Sequence, residues 1–385
     1  MHSTCTVSTN LEDSLAAGEE LGRAIRQKLA GERPDAVIVF ASSRYDYEPL
    51  LQGLSGSCSP RILMGSSSAG EFTHTSFDEG TACALAFRSD EMCFAAGVGR
   101  GLHEDRKSAA KAIVSTFTGT ENHDYPFRSA LVMTDALAGH ADDFVEEMTL
   151  LTAGNYKLFG GGAGDDAHFR KTHVFLGTEA IPDAAVALEI ISKKPIGVGV
   201  CHGWEPASSP FRVTRAEGMR LISLNSFPAR ELLVEHARDT GQTLDLDAPL
   251  PFFLHNVLGI VTDSGFRLRV PLSIEPDGTI VCAADIPEGA LIHIMKPQDL
   301  SALEATRNAL SQLDGEKPGT AIFFDCVATR LRMGKEFGFE LRAVEETLGV
   351  GASFAGCNTY GQIASSEGQF NGFHNCTAVV CVFPR

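Results

Sequence analysis

The residues best placed for chemistry sit where short apolar runs stop at small, Gly/Ser-rich turns. The run Leu63-Met64-Gly65-Ser66-Ser67-Ser68-Ala69-Gly70-Glu71 sets three hydroxyls and a carboxylate on backbone free of bulky side chains. Such backbone can approach a ligand closely, and its N–H groups can hold an anion. The same shape returns at Leu158-Phe159-Gly160-Gly161-Gly162-Ala163-Gly164-Asp165-Asp166, and more loosely at Phe354-Ala355-Gly356-Cys357-Asn358-Thr359-Tyr360-Gly361-Gln362. Glu71, Asp165 and Asp166 are positioned to receive the amine of a ligand or to cap the chain beyond the turn. Ser66, Ser67, Ser68, Gly70, Glu71, Gly161, Gly162, Asp165 and Gln362 are therefore candidate ligand-binding residues. No G-x-x-x-x-G-K-[ST] is present, so these turns are not P-loops. The Gly160 turn also fails the dinucleotide spacing, because Asp165 stands where the last glycine belongs.

A second group centres on histidine. His202 lies two residues from Trp204, the only tryptophan, in a Gly-flanked loop after an apolar run. Iron in a haem needs one neutral histidine among apolar walls. His202, His140, His173 and His374 are candidates, with His202 taken as the metal ligand. Its competing role is that of a hydrogen-bonded structural residue, and His374 reads as a structural or pocket-polar residue. No zinc spacing appears, since His168 and His173 lie five apart, off the i, i+4 face of a helix. Catalysis has little support: there is no G-x-S-x-G, and no catalytic residue is assigned. The alternative to binding is a hydrolase or transferase that uses the Gly/Ser turns as an anion or oxyanion site.

The elements that hold these turns repeat. Ala36-Val37-Ile38-Val39-Phe40 and Ala130-Leu131-Val132-Met133 read as strands covered on both faces, and Ala321-Ile322-Phe323-Phe324 opens a third copy. Each is followed by a helix, a second strand and its turn. Helices are expected over Leu11 to Leu29, Tyr45 to Leu54, Asp105 to Phe117, Ala141 to Leu151, Asp299 to Leu313 and Phe337 to Leu348. Thr81 to Phe87 with Met92 to Val98 closes the first copy, and Ala184 to Ile191 with Ile196 to Val200 closes the second. Between copies two and three lies an antiparallel section with a hairpin at Pro276-Asp277-Gly278. The predicted fold is α/β (α+β): repeated strand-helix-strand-turn-strand-strand units in mixed sheets flanked by helices. The length of 385 residues exceeds the usual ceiling for one core, so two domains are expected, 30–220 with an internal duplication and 221–385.

Composition narrows the class. The net charge of −17 disfavours nucleic acid and anionic membranes as partners. No signal peptide or membrane-length apolar run is read, and the ten scattered cysteines form no C-x-x-C pair, so a reducing cytoplasm is expected.

The chain resembles the FIST family, proteins with a FIST N domain followed by a FIST C domain. The resemblance rests on the order and spacing of Gly65–Glu71, Gly160–Asp166, Gly199-Val200-Cys201-His202-Gly203-Trp204, Cys326-Val327-Ala328-Thr329-Arg330, Tyr360-Gly361-Gln362-Ile363 and Phe373-His374-Asn375-Cys376-Thr377. It implies a bacterial sensory module that binds a small ligand and regulates a separate partner such as a histidine kinase or a diguanylate cyclase/phosphodiesterase. Some members bind haem b and sense nitric oxide. The family commonly has Gly-Glu-Ile where this chain has Gly361-Gln362-Ile363.

Overall fold

The computed structural model describes residues 2–385 apart from 120, 264, 299, 367 and 368. Three copies of one unit form its frame. The first unit orders its strands His2–Thr9, Ala82–Ser89, Ala36–Ala41 and Ile62–Ser67 across the sheet. The second orders Met92–Arg100, Ala184–Ser192, Phe127–Thr134 and Lys157–Gly162 in the same way, and the third Gly197–Cys201, Ala378–Pro384, Pro318–Cys326 and Ser353–Thr359. In every unit the last two strands pair in parallel and the others antiparallel.

Each sheet is then completed by a two-stranded ribbon from a different unit. The ribbon Val174–Leu176 and Glu179–Ile181 of unit two extends the sheet of unit one. The ribbon Gln362–Ser366 and Gln369–His374 of unit three extends that of unit two. The ribbon Glu71–Thr73 and Phe77–Asp78 of unit one extends that of unit three. This cyclic exchange makes three six-stranded sheets from three interlocked units.

The continuous apolar runs follow from burial on both faces. One face of each sheet meets a shared core, where Phe40, Met64, Leu131, Phe159, Ile322 and Phe383 pack together. The other face is covered by the unit's own helices: Ser14–Lys28 and Tyr47–Cys58 on the first, Arg106–Val114 and Ala141–Leu151 on the second, Ser301–Ser311 and Gly338–Leu348 on the third. Asp13 caps the first helix by accepting a bond from Ala16 N–H at 2.8 Å. That helix carries two interior glycines for a packing reason. A Cβ on Gly18 would lie 2.0 Å from the Leu50 carbonyl oxygen of the next helix, so the two helices touch backbone to backbone.

The antiparallel section is inserted in unit three, between Gly197–Cys201 and Ser301–Ser311. It forms a nine-stranded sheet. The expected hairpin is present: Pro271–Ile274 pairs with Ile280–Cys282, and Gly278 turns the chain with φ +90°. Strands Phe211–Glu217 and Arg220–Leu224, at the expected boundary between the two domains, belong to this sheet. Asp299, the expected start of the following helix, lies outside the described residues.

One feature of the repeat differs from expectation. Met92–Arg100 does not close unit one; it pairs with Ala184–Ser192 of unit two. Gly197–Cys201 likewise pairs with Ala378–Pro384 of unit three. An N-terminal strand that the sequence reading did not pick out, His2–Thr9, opens the first unit and moves the frame by one strand. No helix among the described residues is long and apolar enough to cross a membrane.

Candidate ligand-binding site

The glycine that marks each turn has a structural cause. Gly65, Gly160 and Gly356 occupy the same position in the parallel strand of their units. A Cβ there would sit 1.8, 2.0 and 1.8 Å from the carbonyl oxygens of Val39, Val132 and Phe323 on the neighbouring strand. Close strand packing, not ligand approach, requires these glycines.

The three turns converge and bond to one another. Ala69 N–H donates to Asn358 O at 2.9 Å, and Asn358 N–H to Gly70 O at 2.8 Å. Gly164 and Asp166 N–H donate to Ser67 and Ser68 O at 3.0 and 3.1 Å. Gly162 N–H donates to Gly361 O, and Tyr360 N–H to Gly162 O, both at 2.9 Å. Ser67 and Ser68 N–H are taken by His173 O and Ala41 O. These turn donors are thus taken by backbone carbonyls, all but that of Ser68 across a boundary between units.

Several turn side chains are used in the same way, while Ser66 Oγ and the Asn358 amide are buried without a hydrogen-bond partner among the described residues. Ser66 faces the shared core beside Phe40, its cross-strand neighbour. Ser67 Oγ accepts a bond from His173 N–H at 2.9 Å. Ser68 Oγ donates to Glu71, whose other oxygen accepts from Thr81 N–H and Oγ–H at 3.2 and 3.0 Å. Unit three repeats this trio with an amide: Gln362 Nε2 donates to Thr359 Oγ1 at 2.9 Å, and its Oε1 accepts from Thr377 N–H at 3.3 Å. Gln362 therefore loses no contact for lack of a charge. Burial raises the Glu71 carboxyl to about 7, against the opposing pull of the Ser68 and Thr81 bonds.

Asp165 is enclosed as well. Burial pushes its carboxyl up, but bonds from the Tyr360 hydroxyl and from the N–H groups of Lys171, Arg170 and Phe169, the last three at 2.9, 2.7 and 2.8 Å, outweigh this and hold it below the ordinary value. Tyr360 stacks on Phe169 at 4.4 Å. Gly161 and Gly162 pack against the Gly361 carbonyl and the Ala136 methyl, and Gly70 lies under the Arg330 guanidinium. Ser66, Ser67, Ser68, Glu71, Asp165 and Gln362 are not among the residues that line the large cleft described next.

That cleft, of about 800 Å³, lies where all three units meet. Unit one supplies Ser42, Arg44, Glu79 and Gly80; unit two supplies Asp166 and Ala167; unit three supplies Val327, Arg330, Leu331 and Lys335. Asp166 accepts bonds from Ser42 Oγ at 2.8 Å and from Ser43 N–H at 2.6 Å. Arg330 donates to Glu79 at 2.8 Å and to the Ala69 carbonyl, tying the cleft wall to the first turn. Arg44 donates to the Asn10 and Leu11 carbonyls at 2.7 and 3.0 Å. Lys335 is exposed and forms no ion pair among the described residues. Of the residues singled out from the sequence, Asp166 reaches this cleft, and Arg330 falls in one of the stretches that carried the resemblance. Ser42, Arg44, Glu79 and Lys335 had no spacing signal.

His202 and Trp204 lie elsewhere, in the packing between the inserted sheet and unit three. Trp204 clusters with Val257, Leu268 and Cys326, and Arg332 stacks over its ring at 5.5 Å. His202 Nδ1 faces Trp204 N–H at 3.4 Å, and burial depresses its basicity. His374 is buried in the ribbon opposite Gln362. Haem needs an apolar slot with a histidine on its wall. The 800 Å³ cleft is rich in charge, the apolar pocket beside it holds about 80 Å³, and no histidine lines either. The residues that line these two cavities do not fit a haem.

The FIST N domain family matches residues 35–226, and the FIST C domain family matches residues 231–365. The chain belongs to the FIST family. FIST domains are generally sensor domains of signal transduction. An uncharacterized protein of the archaeon Methanocaldococcus jannaschii is 24% identical over 310 residues, spanning 75% of this FIST protein. This chain covers 58% of that relative's length. Among solved structures, cyanuric acid hydrolase from A. caulinodans aligns over all of both chains with a TM-score of 0.36 and 8% identity. PurL of T. maritima complexed with AMPPCP aligns over 99% of this chain and 72% of its own, with a TM-score of 0.23 and 11% identity. At these scores neither bears on the chemistry of the FIST protein.

Proposed function

We propose that this FIST protein is a non-catalytic sensor that binds a small carboxylate-bearing ligand in the cleft between its three units. The observation that carries this is the cleft's composition. Arg44, Arg330 and Lys335 gather there in a chain of net charge −17, and each wall comes from a different unit or ribbon. Three cations against the carboxylates of Asp166 and Glu79 leave the lining net positive in an acidic protein, which favours an anionic group, while the two carboxylates offer acceptors to a donor on the same ligand. A ligand that bridges the walls biases their relative positions, because it binds one arrangement better than another. The bias passes to a signalling partner, for which the family resemblance supplies a histidine kinase or a cyclic-dinucleotide enzyme.

The test is a thermal-shift screen of amino acids and small carboxylates on wild type and Lys335→Glu. A ligand selective for the native state raises the melting midpoint. Lys335→Glu replaces attraction with repulsion at an exposed site and is expected to weaken binding about tenfold without lowering the midpoint of the free protein. Equal affinity in both proteins contradicts the assignment of the cleft.

A further inference from the structure

The charged cleft has an apolar neighbour. A pocket of about 80 Å³ lies on the far side of the short helix Val327–Met333, between units two and three and the inserted sheet. Val327 and Leu331, one helical turn apart, line both cavities. Arg330 stands on the cleft side of this ridge and Ala328 on the pocket side. The pocket wall carries Leu254, Val270, Leu272 and Ala283 from the inserted section. Its mouth is rimmed by apolar side chains left open to solvent: Leu137, Phe169 and Leu331 are each 42% exposed and Leu250 37%. Four large apolar side chains gathered around one opening are not the scattered exposure of an ordinary surface.

We infer that the ligand of this sensor is an amphiphile, with its carboxylate in the charged cleft and an acyl or similar apolar chain laid over Leu331 into the pocket. The inference rests on the sensor reading above and names the class of its ligand. The two cavities share Val327 and Leu331 in their walls, so one molecule that crosses the exposed Leu331 can occupy both. The pocket holds roughly five to eight groups the size of a water or a methylene, which sets the length of chain it accepts. A chain in this position touches the inserted section as well as the units. The ligand would then tie the inserted sheet to the three-unit frame.

The experiment is calorimetric titration of the full chain with straight-chain carboxylates from acetate through butanoate, hexanoate and octanoate to dodecanoate. Affinity is expected to rise about fourfold per buried methylene up to about eight carbons and then level off. Leu331→Gln, at an exposed position, is expected to flatten this rise. Lys335→Glu is expected to weaken the whole series in parallel. A series that binds with no dependence on chain length overturns the amphiphile and leaves the sensor reading standing, as does a rise that Leu331→Gln does not alter. If no member binds although polar carboxylates bind in the thermal screen, the amphiphile alone falls. If nothing binds in either assay, both readings fall.

Discussion

Glu71→Gln gives the sharpest view of what the turns do. Glu71 is fully enclosed, and its three donors, Ser68 Oγ and the two of Thr81, do not offset the loss of water. Its carboxyl is therefore pushed up to about 7 in the fold, against 4.5 for an ordinary glutamate. A group whose pKa is raised by folding adds stability that is fully present below 4.5 and is lost as pH climbs through 7. The difference between the two values corresponds to about 3 kcal/mol at 1.4 kcal/mol per pH unit. Glutamine keeps the shape and cannot ionise. The fold already shows that the position takes it, since Gln362 makes the equivalent contacts to Thr359 and Thr377 in unit three. The assay is unfolding of wild type and Glu71→Gln from pH 4.5 to pH 8. Other ionisable groups act on both proteins alike, so the gap between them isolates Glu71. The variant is expected to gain on wild type by about 3 kcal/mol as pH rises to 7, and the gap to level off above it. Two stability curves that run parallel across this range would refute the enclosed-carboxylate account.

Two further perturbations test the packing. On the helix Tyr47–Cys58, a Cβ at Gly53 would lie 2.4 Å from the Leu15 carbonyl oxygen, whereas one at Gly56 meets nothing within 4 Å. Gly53→Ala is expected to cost about 1–3 kcal/mol in denaturant melts, and Gly56→Ala to add up to about 1 kcal/mol. Arg269 of the inserted sheet is buried, donating to Asp142 of unit two at 2.8 Å and to the Asp285 and Phe373 carbonyls at 2.9 and 3.2 Å. Asp142→Asn leaves that buried guanidinium without its counter-charge and is expected to cost about 3–5 kcal/mol. Hydrogen exchange should show the loss concentrated in the inserted section.

Much of the fold was legible because its signals are local. Runs such as Ala36–Phe40 and Ala130–Met133 announced strands buried on both faces, and Pro276-Asp277-Gly278 announced its hairpin. The threefold echo of the glycine turns was also visible, because each parallel pair leaves no room for a Cβ at Gly65, Gly160 or Gly356. The exchange of ribbons was not legible. Which sheet Glu71–Thr73 joins is settled by pairing with Ala355–Cys357, nearly three hundred residues away, and no local pattern encodes that choice.

The sequence reading placed the candidate ligand contacts on the turns themselves. Small residues and hydroxyls at Ser66–Ser68 and Gly161–Gly162 suggested room for a ligand, but the neighbouring turns fill that room with their own backbone. The cleft instead takes Ser42, Glu79, Asp166 and Lys335 from separate loops that only the closed ring brings together. Arg330 was within sight, in a stretch whose order and spacing marked the family, but its bond to the Ala69 carbonyl could not be read from spacing.

In the proposed function a ligand binds where the three units meet. Hydrogen–deuterium exchange with and without the best carboxylate from the thermal screen tests it most directly. Protection is expected together in segments 42–44, 77–80, 165–167 and 327–335, which belong to different units and line one cleft. Protection confined to the loop around His202 and Trp204, with those four segments unchanged, would contradict it.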